Sequence, residues 1–172
     1  MEAGGDINMV KQMRITDPQI VADIICHKEV YPFVSDDGSP DPDNFANRFV
    51  PATVSNDQVY CLMPNKTALF VYMPINAATW EVHTCVLKKG RGLAAMKAAR
   101  ASIRYMFTKT PCKKIMSHVP EYQRHVLLFA LKNGLKKEGV NRKSYLKDGK
   151  LYDQTLVGIT KEEWIKCQQQ QQ

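Results

Sequence analysis

The sequence predicts one α/β domain on a mixed central sheet, with antiparallel N-terminal strands and a parallel strand pair flanked by helices. Three observations carry this. Residues 58–63, 67–73 and 80–87 are rich in β-branched and aromatic side chains, and the joints between them are too short for a helix, so they pair antiparallel. The third of these strands runs into a long alanine-rich helix at 93–107 and then into another strand at 113–119, and a strand–helix–strand unit makes a parallel crossover. The 172 residues are 44% hydrophobic and 24% charged, the size and composition of a soluble globular domain with one substantial core.

Taken in order, residues 1–6 read as a loose start and 7–15 alternate enough for a first strand. Asp17-Pro18 is a helix start, with Asp17 as N-cap and Pro18 at the first helical position. Ile20, Val21, Ile24 and Ile25 give that helix an apolar face to about Lys28. Residues 30–49 hold Pro32, Pro40 and Pro42 around Ser35-Asp36-Asp37-Gly38-Ser39, which reads as an acidic loop or a broken helix. Pro64-Asn65-Lys66 joins the first two strands of the antiparallel set. Pro120 ends the strand at 113–119. A helix at 121–133 follows, with Val126, Phe129, Ala130 and Asn133 on one face and Gly134 as its stop. Residues 140–146 and 151–159 form a hairpin across Asp148-Gly149, and Thr160 with Glu163 is a capping box for a last helix. The domain closes at residue 167, and the glutamine run 168–172 is low-complexity and expected to be disordered.

The chemistry centres on Lys88-Lys89-Gly90-Arg91-Gly92, between the strand at 80–87 and the long helix. A glycine turn opening a helix leaves several N–H groups without intrahelical partners, and the helix dipole adds positive potential there. Both favour a phosphate, and the two lysines and Arg91 add charge. An ordinary connection with solvated lysines has the same composition, since short glycine motifs recur without function.

The remaining composition narrows the classes. No apolar run approaches a membrane span and no secretory h-region is present, so the chain is expected in a cytoplasm. Five cysteines are scattered with no C-x-x-C pair, against a disulfide framework or a zinc site. The net charge of +7 fits nucleic acid, an acidic protein or a polyphosphate cofactor. Nucleic acid ranks last, because no aromatic stacking set accompanies a basic stripe.

The element order with a basic glycine turn resembles the GNAT N-acetyltransferase family over about residues 7–164. The family's signature Gln/Arg-x-x-Gly-x-Gly/Ala reads here Lys89-Gly90-Arg91-Gly92-Leu93-Ala94. The later strand–helix signature departs from the pattern. Gln123 stands for the usual asparagine, Ala130 for the tyrosine that protonates the departing thiolate, and Leu135 for a phenylalanine. Residues 138–142, 148–153 and 160–164 are similar to the ribosomal-protein N-acetyltransferase branch. The resemblance is closest to small phage-encoded GNAT-like proteins, which share Trp-Glu-Val-His-Thr-Cys-Val and Ser-Asp-Asp-Gly-Ser-Pro.

The resemblance implies acetyl-CoA as co-substrate, an amine on a protein or small molecule as acceptor, the host cytoplasm as location, and room for a homodimer. It implies a pyrophosphate on the backbone of the glycine turn, a contact from Gln123, and amides near Val86 and Leu87 that polarise the thioester carbonyl. Glu81, His83 and Cys85 alternate, so they share one face of their strand. By resemblance that face lines the reaction cleft. Glu81 is then the first candidate base, directly or through a water, and His83 the second, with an ordinary pKa near 6.5. His118 ends the neighbouring strand and is a candidate for the same cleft. By analogy Asp36 and Asp37 flank the acceptor, where an acidic wall favours a cation. Tyr122, Tyr145 and Tyr152 are each candidates for the acid missing at Ala130. The rival reading is a GNAT-fold phage protein that has lost catalysis and acts in virion assembly or host-protein binding.

Overall fold

The computed structural model describes residues 13–169. A six-stranded sheet runs in the order β1-β2-β3-β4-β6-β5. Its strands are β1 (Tyr60–Asn65), β2 (Ala68–Pro74), β3 (Thr79–Val86), β4 (Lys114–Pro120), β5 (Lys136–Lys147) and β6 (Lys150–Thr160). Every neighbouring pair is antiparallel except β3 and β4, which run parallel. This is the mixed sheet that the spacing of the strands predicts. Of the predicted strand at 7–15 only the end is described: Arg14 bridges Leu62 antiparallel, against the outer edge of β1. The rest of it, and the start at 1–6, lie outside the described residues.

Helix α1 (Pro18–Ile25) begins where the sequence places it, with the Asp17 carboxylate accepting the Gln19 N–H at 2.8 Å. It buries Val21, Ala22, Ile24 and Ile25 on one face of the sheet, over Leu69, Val71 and Cys85. Each large aliphatic chain so buried contributes roughly 1.5–3 kcal/mol. The opposite face carries α5 (Leu93–Lys109) and α6 (Arg124–Lys132), which close a core of Phe70, Tyr72, Trp80, Met106, Phe107 and Ile115. Helix α7 (Lys161–Gln169) starts with both halves of the capping box, Glu163 N–H to Thr160 Oγ1 at 3.2 Å and Thr160 N–H to Glu163 Oε2 at 3.0 Å. Gln168 and Gln169 are the last residues of that helix; residues 170–172 of the glutamine run lie outside the described residues. Among the described residues no helix is long and apolar enough to cross a membrane.

Residues 30–55 are a helix broken by its prolines. Short helices α2 (Tyr31–Val34), α3 (Pro42–Asn44) and α4 (Val50–Ser55) each carry proline in their first two positions. Between α3 and α4 the chain widens to one π turn, Phe45–Phe49, where Val50 N–H reaches Phe45 O. Pro51 is the physical reason: it has no N–H to donate, and its ring would crowd the carbonyl four residues back. Helix α4 itself is not foreseen in the sequence. Helix α6 starts three residues later than predicted, because the Glu121 N–H bonds Asp153 O at 2.9 Å and so continues the strand pairing past Pro120.

Candidate active site

The parallel pairing of β3 and β4 ends early. Thr79, Trp80 and Glu81 pair with Lys114, Ile115 and Met116, and no pair follows. One further link, from Ser117 Oγ to Val82 O at 3.1 Å, stands at the point of divergence. Successive residues of a strand direct their backbone groups to alternate sides, so Thr84 and Val86, like Val82, face the widening gap. The Val86 N–H is therefore directed into it. Leu87 differs: its N–H already donates to Thr67 O at 2.9 Å, across to the β1–β2 hairpin, so it offers no donor to a ligand.

On the face of the sheet shared with α1, the ends of the splayed strands bring charged groups together. Glu81 Oε1 lies 2.8 Å from His118 Nδ1, both side chains about one-fifth to one-quarter exposed. His83 follows Glu81 on the same face and lies within the fields of both. Its side chain is open to solvent on one side; crowding by protein atoms on the other holds the imidazole below the ordinary histidine value, with the pull of Glu81 and then the push of His118 opposing one another. Cys85, next along this face, is buried under α1 with its thiol pushed up to about 12, which leaves it inert. The alternation of Glu81, His83 and Cys85 was readable; the Glu81–His118 pair depends on the register of two strands 37 residues apart.

The basic glycine turn lies at the end of β3. Residues Lys88–Gly90 make one 3₁₀ turn, with Gly90 N–H to Leu87 O and Arg91 N–H to Lys88 O. Gly90 is required by contact, since a Cβ there would stand 2.5 Å from Thr67 Cβ. Gly92 is required by conformation, with φ +83° and ψ −137°. No side chain caps α5, so the N–H groups of Leu93, Ala94 and Ala95 face outward at its N-terminus beside Lys89 and Arg91. Leu93 at 82% exposure and Ala94 leave those amides open. One group not singled out in the sequence is Glu29. Its Oε2 accepts the Lys88 N–H at 3.1 Å, its backbone carbonyl accepts Arg91 Nη2 at 3.4 Å, and the Lys88 amide first holds its carboxyl below the usual range. A glutamate in a helix connection carries no local signal of this.

The other expected site residues make hydrogen bonds within the protein. Both Asp37 carboxylate oxygens accept amides of the β5–β6 turn, Asp148 N–H and Gly149 N–H, each at 2.8 Å. Asp36 Oδ1 closes its own turn on Gly38 N–H and Ser39 Oγ. Gln123, 5% exposed, donates from Nε2 to Phe33 O at 2.8 Å and so ties α2 to the start of α6. Tyr145 hydroxyl donates to Ser35 O at 2.8 Å.

Behind the splay lies a cavity of about 40 Å³, lined among others by Val82, Thr84, Ser117, Ala130 and Asn133. It has room for only a few waters. Asn133 Oδ1 is buried with no hydrogen-bond partner, and its Nδ2 is held by Phe129 O at 2.9 Å. The rest of the lining is chiefly apolar, with Phe70, Ile103, Ile115, Val126 and Phe129 among it, so Asn133 Oδ1 is an isolated buried acceptor there.

No protein-family model matches the sequence, and no curated protein matches it. Solved structures do. A spermidine N-acetyltransferase from Vibrio cholerae, in complex with CoA and spermine, is 13% identical at a TM-score of 0.70, over 87% of this chain and 92% of its own. A chimera of the Vibrio cholerae enzyme with hSSAT reaches a TM-score of 0.73 at 15% identity, over 89% and 95%. A GNAT-family acetyltransferase from Bacillus anthracis is 17% identical at 0.64, over 85% and 90%. With the mixed sheet, its one parallel pair and the splay between β3 and β4, this chain has the fold of the GNAT acetyltransferases.

Proposed function

We propose that the chain is an acetyl-CoA-dependent N-acetyltransferase acting on a cationic amine of a small molecule or protein. The observation that carries this is the placement of the Glu81–His118 pair on the rim of the β3–β4 gap, at whose other end the glycine turn presents amides. Bound acetyl-CoA supplies an activated thioester carbonyl. In this reading the N–H groups of Gly92, Leu93 and Ala94, with Lys89, Gly90 and Arg91 around them, hold the pyrophosphate. The gap takes the pantetheine arm, with Asn133 Oδ1 as an acceptor for its amides and the Val86 N–H on the carbonyl oxygen. Leu87 packs rather than donates, and Gln123 acts through Phe33.

An alkylamine is neutral in about one molecule in 10³ at pH 7. Glu81 accepts the Nδ1–H of His118, which leaves Nε2 as a lone pair to receive the amine proton, while His83, held neutral, stands beside it. A placed base of this kind is worth roughly 10²–10⁴-fold. The reading takes the protein to work in a cytoplasm, that of the host if it is phage-encoded. Ala130, which leaves the thiolate without its usual acid, favours a second reading: a GNAT-fold phage protein that binds partners in virion assembly without turnover.

The test is thermal unfolding with and without acetyl-CoA, followed by thiol release from acetyl-CoA across a panel of amines. A ligand at about 100 times its Kd adds roughly 2.7 kcal/mol. Thiol release that is amine-dependent, and at least a hundredfold lower in Glu81→Gln, supports the enzyme. A shift without amine-dependent release supports the second reading. No shift at millimolar acetyl-CoA, from folded protein, overturns both assignments of the glycine turn.

A further inference from the structure

Three tyrosines gather at the far end of the face that carries His118. The Tyr122 and Tyr152 ring centroids are 4.7 Å apart, and those of Tyr122 and Tyr145 are 6.4 Å apart. Lys150 Nζ stands 4.8 Å from the Tyr152 centroid. The protein's own ammonium thus rests on this ring, in the range of a cation–π contact. The cluster is held in place from the acidic loop: Tyr145 hydroxyl donates to Ser35 O, and Asp37 clasps the β5–β6 turn. Lys147 Nζ donates to the same Ser35 O at 3.0 Å, and the charges of Asp36 and Asp37 reach the Tyr145 phenol from the loop.

Strand register connects this surface to the proposed reaction point. Tyr145 pairs with Tyr152, Pro120 with Gln154, and His118 with Leu156. Paired residues point to the same face, and so do residues two apart. Tyr152, Gln154, Leu156 and His118 therefore share one face, with Gln154 and Leu156 between the two ends. Four residues of strand span roughly 13 Å.

We propose that Tyr152, with Tyr122 and Tyr145 around it, is an ammonium-binding subsite for a second positive charge on the acceptor, about 13 Å from the amine that reacts. This rests on the acetyltransferase reading, and it makes the acceptor a di- or polycation rather than a simple monoamine. Lys150 is the internal occupant that the second ammonium displaces, and being on a flexible stem at a hairpin end it can swing to water. The two ends of the face then select both charge and length. A small diamine and a polypeptide with two spaced lysines share this chemistry.

The probe is a series of α,ω-diaminoalkanes of increasing length, with matched monoamines and spaced dilysine peptides, titrated calorimetrically into the full chain without cofactor. The expected result is an affinity that peaks at one diamine length and exceeds the matched monoamine about tenfold, the order of one ammonium–ring contact. Tyr152→Leu lowers it to the monoamine level, Tyr152→Phe restores it, and Lys150→Ala tightens it severalfold. With turnover, Tyr152→Leu raises KM for the diamine alone and leaves kcat. Preference for the dilysine peptides over every diamine assigns the site to a protein acceptor. Affinity that is indifferent to length, or equal in Tyr152→Leu and wild type, overturns the subsite. Absence of an acetyl-CoA shift overturns the acetyltransferase reading and leaves the diamine titration to be judged on its own.

Discussion

The glycine turn and the acidic loop look alike in the sequence. Each is a short charged stretch punctuated by glycine, between regular elements, and each invites a ligand of opposite charge. In the structure they part. The turn keeps groups to spare: Gly92 takes up a conformation that opens α5 without a side-chain cap, and the first-turn amides stay outward. The loop keeps almost none. Asp37 is bonded through both oxygens to the β5–β6 turn and Asp36 is bonded within its own. Residue type tells what a segment can bind, and only a complete assignment of its donors and acceptors tells what is left for a ligand. On that measure the turn is open to a ligand, and the loop is the fastening that holds the tyrosine surface to the scaffold.

The largest effect expected from this contrast is on the turn. Ala94→Glu puts a carboxylate in the first turn of α5, where it favours the helix dipole by about 0.3–1 kcal/mol and repels a phosphate. The variant should melt no lower than wild type and lose the whole ligand stabilisation of roughly 2.7 kcal/mol. For a chain of this length that is a Tm rise of about 5–11 °C in wild type and none in the variant. A rise that survives the substitution breaks the contrast, since the amides would then not be the site. Gly92→Glu is the less clean probe, because φ +83° strains any side chain there.

Gln123 sharpens the contrast from the other side. The sequence resemblance implies a cofactor contact for it, and here its amide is buried on Phe33 O. Gln123→Ala leaves that carbonyl without its donor and should cost about 1–3 kcal/mol in urea unfolding. The acetyl-CoA shift should remain at full size. If instead stability holds and the shift shrinks, Gln123 belongs with the turn and not with the fastening.

What could be read in advance was local. The Asp17-Pro18 start, the Thr160–Glu163 box, the Gly134 stop and the glycine turn each follow from residues within a few positions of one another. The alternation along β3 placed Glu81 and His83 on one face for the same reason. What could not be read depends on contacts across long loops. The Gln123–Phe33 bond spans 90 residues and the Asp37–Gly149 bond 112. The π turn before Pro51 was hidden differently: a proline marks a break, but not whether the chain ends or widens by one residue.

A smaller effect concerns the cleft between the two regions. His83 is held below the ordinary histidine value, chiefly by crowding, and its exposure to solvent on one side keeps the effect small. The unfolded chain then binds more protons than the folded one from about pH 6.5 downward to the folded value. Stability should therefore fall as pH drops through that window, and His83→Gln should flatten the fall. Urea unfolding at several pH values reads this directly, and a slope equal in both proteins would mean that His83 is as hydrated as an open side chain.

The smallest effect is the most specific to the fastening. The Asp37 carboxyl lies below its usual range, first because Gly149 N–H and then Asp148 N–H favour the ionised form. Its contribution is complete above the ordinary carboxylate value of about 3.9 and is lost as pH falls through the lower folded value. Asp37→Asn keeps one acceptor oxygen and removes the charge. Exposed as it is, the residue should lower Tm only slightly. Its signature is local: faster hydrogen exchange at the Asp148 and Gly149 amides, and weaker diamine binding, with the acetyl-CoA shift untouched. A wild-type clasp that persists unchanged in acid would show that the hairpin is held by Tyr145 and the β5–β6 pairing alone. An Asp37→Asn variant that loses acetyl-CoA instead of diamine would reverse the roles of the two regions.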